Sequence, residues 1–134
     1  DEGRYQDAVF EFDYVIQAEP RDFQAYANRA GAYIQLGDYA KAIKDYTKAI
    51  EFSREDYTLY YNRGFAYAKA REFSKAIADY AKAIELNPKF AMAYYNRGLA
   101  NIYLNKPAAA KEDLNKAREL APELGEEINK VIKT

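Results

Sequence analysis

The chain has 134 residues, with 20 basic side chains against 21 acidic ones, and 49% of it is hydrophobic. A charge balance this even carries no electrostatic footprint for nucleic acid or an anionic membrane surface, and no apolar run approaches the length of a membrane span. With no cysteine and no histidine, a nucleophile–base pair would have to rest on lysines or carboxylates and a metal site on carboxylates alone. The carboxylates fall on exposed helix faces, as at Glu11, Glu51 and Glu85, and the glycines stand singly rather than in a phosphate-cradling loop. The expectation is a chain that is not an enzyme and needs no cofactor or metal.

The predicted elements are helices near 3–18, 22–36, 39–52, 57–70, 73–86, 91–104, 107–120 and 123–132. The chain opens Asp-Glu-Gly-Arg rather than with methionine, which suggests a fragment or a processed product. Leu36-Gly37-Asp38 reads as a turn, with Gly37 suited to the left-handed torsion that closes a helix and Asp38 to capping the next. A break follows at Ala70-Arg71-Glu72, and Asn87-Pro88 ends the helix before it. At Asn105-Lys106-Pro107 asparagine takes the left-handed position and proline the first helical turn. The last segment carries an apolar stripe of Leu124, Ile128, Val131 and Ile132, with Glu126, Glu127, Asn129, Lys130 and Lys133 facing away, as in a capping helix.

These elements repeat. Ala8, Ala42, Ala76 and Ala110 each stand 34 residues from the next, and Asn-Arg recurs at 28–29, 62–63 and 96–97. Ala49, Ala83 and Ala117 keep the same step, as do Pro20, Pro88 and Pro122, with Arg54 in the fourth slot. A fixed period of this length marks an array whose units bury their apolar faces by stacking on neighbours. The expected layout is one domain over 1–134, with full repeats at 23–56, 57–90 and 91–124. Residues 1–22 are the second helix of a partial repeat, and 125–134 are the end of the capping helix.

Small residues sit where paired helices must approach: Ala30, Gly64 and Gly98 on the first helix, Ala42, Ala76 and Ala110 on the second. Of the 14 tyrosines, the group Tyr26, Tyr33, Tyr46, Tyr60, Tyr67, Tyr80 and Tyr94 reads mostly as core packing with the hydroxyl at its edge. Arg29, Arg63 and Arg97 recur together with an acid on the second helix, from the series Glu11, Asp45, Asp79 and Asp113. An inter-helix ion pair is the expected result. In the partial repeat, Ala8, Val9 and Phe12 lack a partner helix and are expected to leave an apolar strip uncovered, an edge for self-association.

The third unit places Tyr60-x₂-Arg63-Gly64-x₂-Tyr67 before Ala76-x₃-Tyr80 and Pro88, and the fourth places Tyr94-x₂-Arg97-Gly98 before Ala110-x₃-Leu114 and Pro122. With that spacing the chain resembles the tetratricopeptide repeat family. Tyrosine stands for the family's tryptophan, arginine for its leucine, Asn101 for a tyrosine and Arg54 for a proline, all without change of spacing. The resemblance implies an all-α, right-handed superhelix of antiparallel helix pairs. It also implies a concave groove, lined by the first helix of each pair, that binds a peptide or helix of another protein.

On the helix wheel the open face of those first helices holds Asn28, Thr58, Tyr61, Asn62, Phe65 and Lys69, then Met92, Tyr95, Asn96, Leu99, Ile102 and Tyr103. Asparagine offers a donor and an acceptor to a peptide backbone, and the apolar members offer anchoring surface. A chaperone-type carboxylate clamp is not expected, because Thr58 and Asn62, or Met92 and Asn96, stand where it would need basic residues. The reading is therefore a protein-interaction scaffold without nucleic-acid or membrane partners, with homo-oligomeric self-assembly as the alternative.

Overall fold

A computed structural model describes residues 1–133 as α-helices joined by short turns, with no strand among the described residues. The helices are α1 (Glu2–Ala18), α2 (Phe23–Gln35), α3 (Tyr39–Phe52), α4 (Tyr57–Lys69), α5 (Phe73–Leu86), α6 (Ala91–Tyr103), α7 (Pro107–Leu120) and α8 (Gly125–Lys133). Their ends fall within two residues of expectation. The largest difference is at α8, where Pro122–Leu124 forms a separate 3₁₀ turn, the Leu124 N–H donating to the Ala121 carbonyl at 2.9 Å.

Local chemistry sets these limits. Asp1, Asp22, Asp38 and Asp56 each accept a first-turn backbone N–H and so cap α1 to α4. Between paired helices the chain turns through a left-handed residue: Gly37 at φ 77°, Arg71 at 64° and Asn105 at 57°. After each of them the next N–H reaches back into the closing helix, Asp38 to Tyr33 at 2.9 Å, Glu72 to Tyr67 at 2.8 Å and Lys106 to Asn101 at 2.8 Å. These bonds satisfy helix carbonyls that would otherwise lack a partner. The turn at Arg71 was expected; a left-handed arginine in it was not.

The tightest pairings are α2 with α3, α4 with α5 and α6 with α7. Looser contacts join α1 to α2, α3 to α4 and α5 to α6, so the pairs stack as an antiparallel helix-pair solenoid. Close approach within a pair needs the small residues. A Cβ on Gly64 would lie 2.9 Å from the Tyr80 ring, and one on Gly98 would lie 2.9 Å from Leu114 Cγ and 3.3 Å from the Ala110 carbonyl oxygen. The rings at the entrance of each pair are pinned by their hydroxyls, which donate to backbone carbonyls: Tyr26 to Pro20, Tyr60 to Arg54 and Tyr94 to Pro88, at 2.9–3.0 Å. Arg54 serves in the proline slot because only its carbonyl is used.

The arginine–acid pairs form within one unit. Arg29, Arg63 and Arg97 each grip Asp45, Asp79 and Asp113 with two parallel bonds of 2.7–2.8 Å, the fork geometry that guanidinium and carboxylate share. The aspartates are buried, and the hydrogen bond to each raises the arginine's pKa. Glu11 takes no part: it is exposed on α1, and an arginine in phase with it would precede residue 1. Arg29 turns its remaining arm to Asp13 instead, at 2.6 Å, where Arg63 meets Thr47 at 3.2 Å.

The two ends are finished differently. Ile128 is fully buried against Leu114 and Ala117, with Leu124 and Val131 half-buried around it, so α8 caps the C-terminal pair. At the other end Ala8, Val9 and Phe12 are half-buried, not uncovered, because α2 shields them in part. Their counterparts Ala42 and Tyr46 are buried, between helices on both sides. The open apolar surface of α1 lies at Phe10 and Tyr14, 77% and 75% exposed.

Candidate functional site

The face to which α2, α4 and α6 contribute is the one the sequence singles out, and α4 meets α6 on it directly. Its best-formed hollow is a cavity of about 390 Å³ between α4 and α6, floored by α5. Phe65, Lys69, Asn96, Leu99 and Tyr103 from the expected set line it, together with Ala68, Arg71, Phe73, Tyr80 and Ala100. Ala66 of α4 and Ala100 of α6, one repeat apart, are both buried.

Tyr61 stands at the edge of this hollow as a support. Its ring packs on Phe90 at 4.7 Å and Tyr80 at 5.7 Å between centroids. Its hydroxyl accepts the Asn96 amide N–H at 2.7 Å, which fixes the Asn96 side chain and leaves its carbonyl oxygen to accept from something else. Burial raises the Tyr61 pKa, partly offset by the Asn96 bond. Burial, with Tyr61 and Asp79 nearby, raises that of Tyr80 as well. Both phenols therefore stay neutral at ordinary pH and supply no base.

The turn end of the cavity is cationic. The Arg71 guanidinium lies 5.4 Å from the Phe73 ring and 5.5 Å from the Tyr103 ring, and those rings stack at 4.6 Å with 2° between planes. Lys69 Nζ lies 5.4 Å from the Phe65 ring. No carboxylate lines this cavity.

The rest of the expected set lies elsewhere. Asn28 is exposed, its oxygen accepting from Gln24 at 3.2 Å, and Thr58 donates to its own helix cap, Asp56, at 2.6 Å. Asn62 and Met92 are half-buried outside the cavity lining. Tyr95 packs against the Leu114–Ile128 cluster under α8. Ile102 opens into a second hollow of about 530 Å³, shared with Pro107, Leu114, Val131 and Ile132. Arg71 and Phe73 were missed. The available signal was that Arg71 is in phase with Gly37 and Asn105, and Phe73 follows in the next helical turn.

Among the described residues no three carboxylates group as metal ligands, and no helix is long and apolar enough to cross a membrane.

Comparison with known proteins places this geometry. Tetratricopeptide repeat models match residues 57–90 and 80–119, and a TPR repeat model matches 30–70. No curated protein matches the chain. Among solved structures, one described as the crystal structure of MamA superposes with a TM-score of 0.86 at 26% identity, over 90% of this chain and 70% of that one. The TPR2B domain of yeast Sti1, solved as a complex with pHsp70, gives 0.79 at 34% identity over 83% of this chain and 93% of that one. The first TPR of Spaghetti bound to the HSP90 peptide SRMEEVD gives 0.77 at 31% identity, over 83% and 90%. With its repeats and its helix pairs matched in this way, the chain belongs to the tetratricopeptide repeat family.

Proposed function

We propose that this chain is a non-catalytic interaction scaffold whose α4–α6 face takes an extended or helical segment of another protein. The observation that carries the reading is the open cavity between α4 and α6, where apolar Phe65, Leu99 and Tyr103 stand beside the fixed amide of Asn96. Apolar side chains of a segment would bury there while the Asn96 oxygen accepts a backbone N–H, the mix of aromatic anchor and placed polar group that peptide sites use. The Sti1 and Spaghetti structures, whose titles name a pHsp70 complex and an HSP90 peptide, lend support at the level of the family. Their kind of ligand does not transfer by position, since Thr58, Asn62, Met92 and Asn96 supply no cation.

Random peptides displayed on phage and selected on the immobilised chain test this. Enrichment of peptides that bind the wild type and are lost on a folded Leu99→Asp variant is expected. No enrichment, or equal recovery on that variant, would contradict it.

A second reading, self-association, rests on Phe10 and Tyr14, whose counterparts one repeat on are Lys44 and Lys48. Exposed aromatic rings at positions where the next repeat carries exposed lysines suit a contact surface. Sedimentation of the wild type and of Phe10→Ser with Tyr14→Ser decides it: a mass that rises with concentration only in the wild type supports the reading, and a monomer throughout removes it.

A further inference from the structure

We propose that Lys69 and Arg71 form a receptor for a side-chain carboxylate of the bound segment, so that the α4–α6 cavity selects an apolar residue flanked by Asp or Glu. This rests on the peptide-binding reading above and names the chemistry that the site would choose.

Three observations converge. The first is placement. One repeat apart, position 69 is matched by Gln35 and Tyr103, and position 71 by Gly37 and Asn105. Cations therefore occur at these positions in one unit alone, and both line the cavity. They stand at the turn end of α4, away from Thr58 and Met92 at the opposite ends of α4 and α6.

The second is backbone cost. Arg71 holds φ 64°, a left-handed torsion that glycine adopts freely and residues with a Cβ disfavour. The other two turns use Gly37 and Asn105, the residues ordinarily found there. An arginine adds nothing to the turn itself, so its side chain must account for it.

The third is charge without an internal acid. The nearest acid in sequence, Glu72, is taken by Lys75 at 3.3 Å. Neither Lys69 nor Arg71 has a carboxylate partner among the described residues, and both are exposed where they line the cavity. The stacked Phe73 and Tyr103 rings lie 5.4 and 5.5 Å from the guanidinium, which makes no ion pair of its own among the described residues. That arrangement suits a carboxylate, which guanidinium binds through two parallel bonds. A nucleic acid fits less well: two cations do not track a phosphate backbone, and the chain as a whole carries net charge −1.

The test repeats the peptide selection on the wild type, on Arg71→Gly, and on Lys69→Glu combined with Arg71→Glu. Glycine fits the left-handed torsion, so Arg71→Gly keeps the fold, which a thermal melt verifies. The wild type is expected to enrich peptides with Asp or Glu beside an apolar residue. Arg71→Gly should weaken the best such peptide about tenfold, the scale of a lost charge-assisted bond. The same peptide with its acid changed to the amide should bind wild type and Arg71→Gly equally. Charge reversal should shift enrichment to Lys and Arg. Peptides that need Leu99 but show no preference for acid would overturn this inference and leave the peptide-binding reading standing. An absence of any enriched peptide would overturn both. Oligothymidylate that binds the wild type and not the charge-reversed variant would point to nucleic acid and overturn the acidic-peptide assignment.

Discussion

Inside each helix pair an arginine forks onto an aspartate at 2.7–2.8 Å, three times over. Across the α2–α4–α6 face only Asn28, Asn62 and Asn96 recur, and the residues around them share little chemistry one repeat apart: Gln24, Thr58 and Met92, or Gln35, Lys69 and Tyr103. The same helices build both regions. The seam recurs because every unit must solve the same packing problem: two helices held close over Gly or Ala, with a charge pair that sets their register. The face is free of that constraint, and its differences between units are what a ligand would read.

This comparison can be broken at the seam, and the largest effect is expected there. Asp79→Ala would leave the part-buried Arg63 charge without its fork and should cost about 3 kcal/mol, read as a fall in the urea midpoint. Lys69→Ala on the face should cost under about 0.5 kcal/mol. Gly98→Val comes next. Its Cβ would already meet Leu114 Cγ at 2.9 Å and the Ala110 carbonyl at 3.3 Å, so a loss of about 1–3 kcal/mol is expected in the same assay.

The packed tyrosines bring a pH effect. Burial, with Asp45 adding to it, pushes the Tyr46 phenol from 10.0 up to about 12. A phenol whose pKa is raised on folding stabilises the protein in its neutral form. That contribution is complete below pH 10 and is lost as pH rises toward 12. Melting temperature should hold as pH approaches 10 and fall beyond it, and Tyr46→Phe should flatten part of the fall. The smallest effect at the seam belongs to Asp13→Ala. It removes one arm of Arg29 from a carboxylate that is 44% exposed and leaves the Asp45 fork in place, so under about 1 kcal/mol is expected.

The seam was the legible region. Period, proline breaks and small residues marked eight helices, and recurrence of arginine with acid pointed to ion pairs between helices without telling whether the acid lay in the same unit or the preceding one. The second arm of Arg29 was not legible, because Asp13, Thr47 and Ala81 follow the period without sharing a chemistry. The face was legible only in part. A helix wheel gives the side of a helix and not what the neighbouring helix covers. So Phe65, Lys69, Asn96, Leu99 and Tyr103 meet in one cavity, while Tyr95 lies under α8 and Ile102 opens to the other side. Arg71 escaped notice because its place in the cavity depends on a backbone torsion and on two rings that stack across units.

The most direct test of the central claim is a map of amide chemical shifts by NMR while a selected peptide is titrated in. The account predicts the largest changes at Phe65, Lys69, Arg71, Asn96, Leu99 and Tyr103, with the seam residues Arg29 and Asp45 unmoved. Changes centred on Phe10 and Tyr14 of α1, or on the outward lysines Lys44 and Lys82, would contradict it.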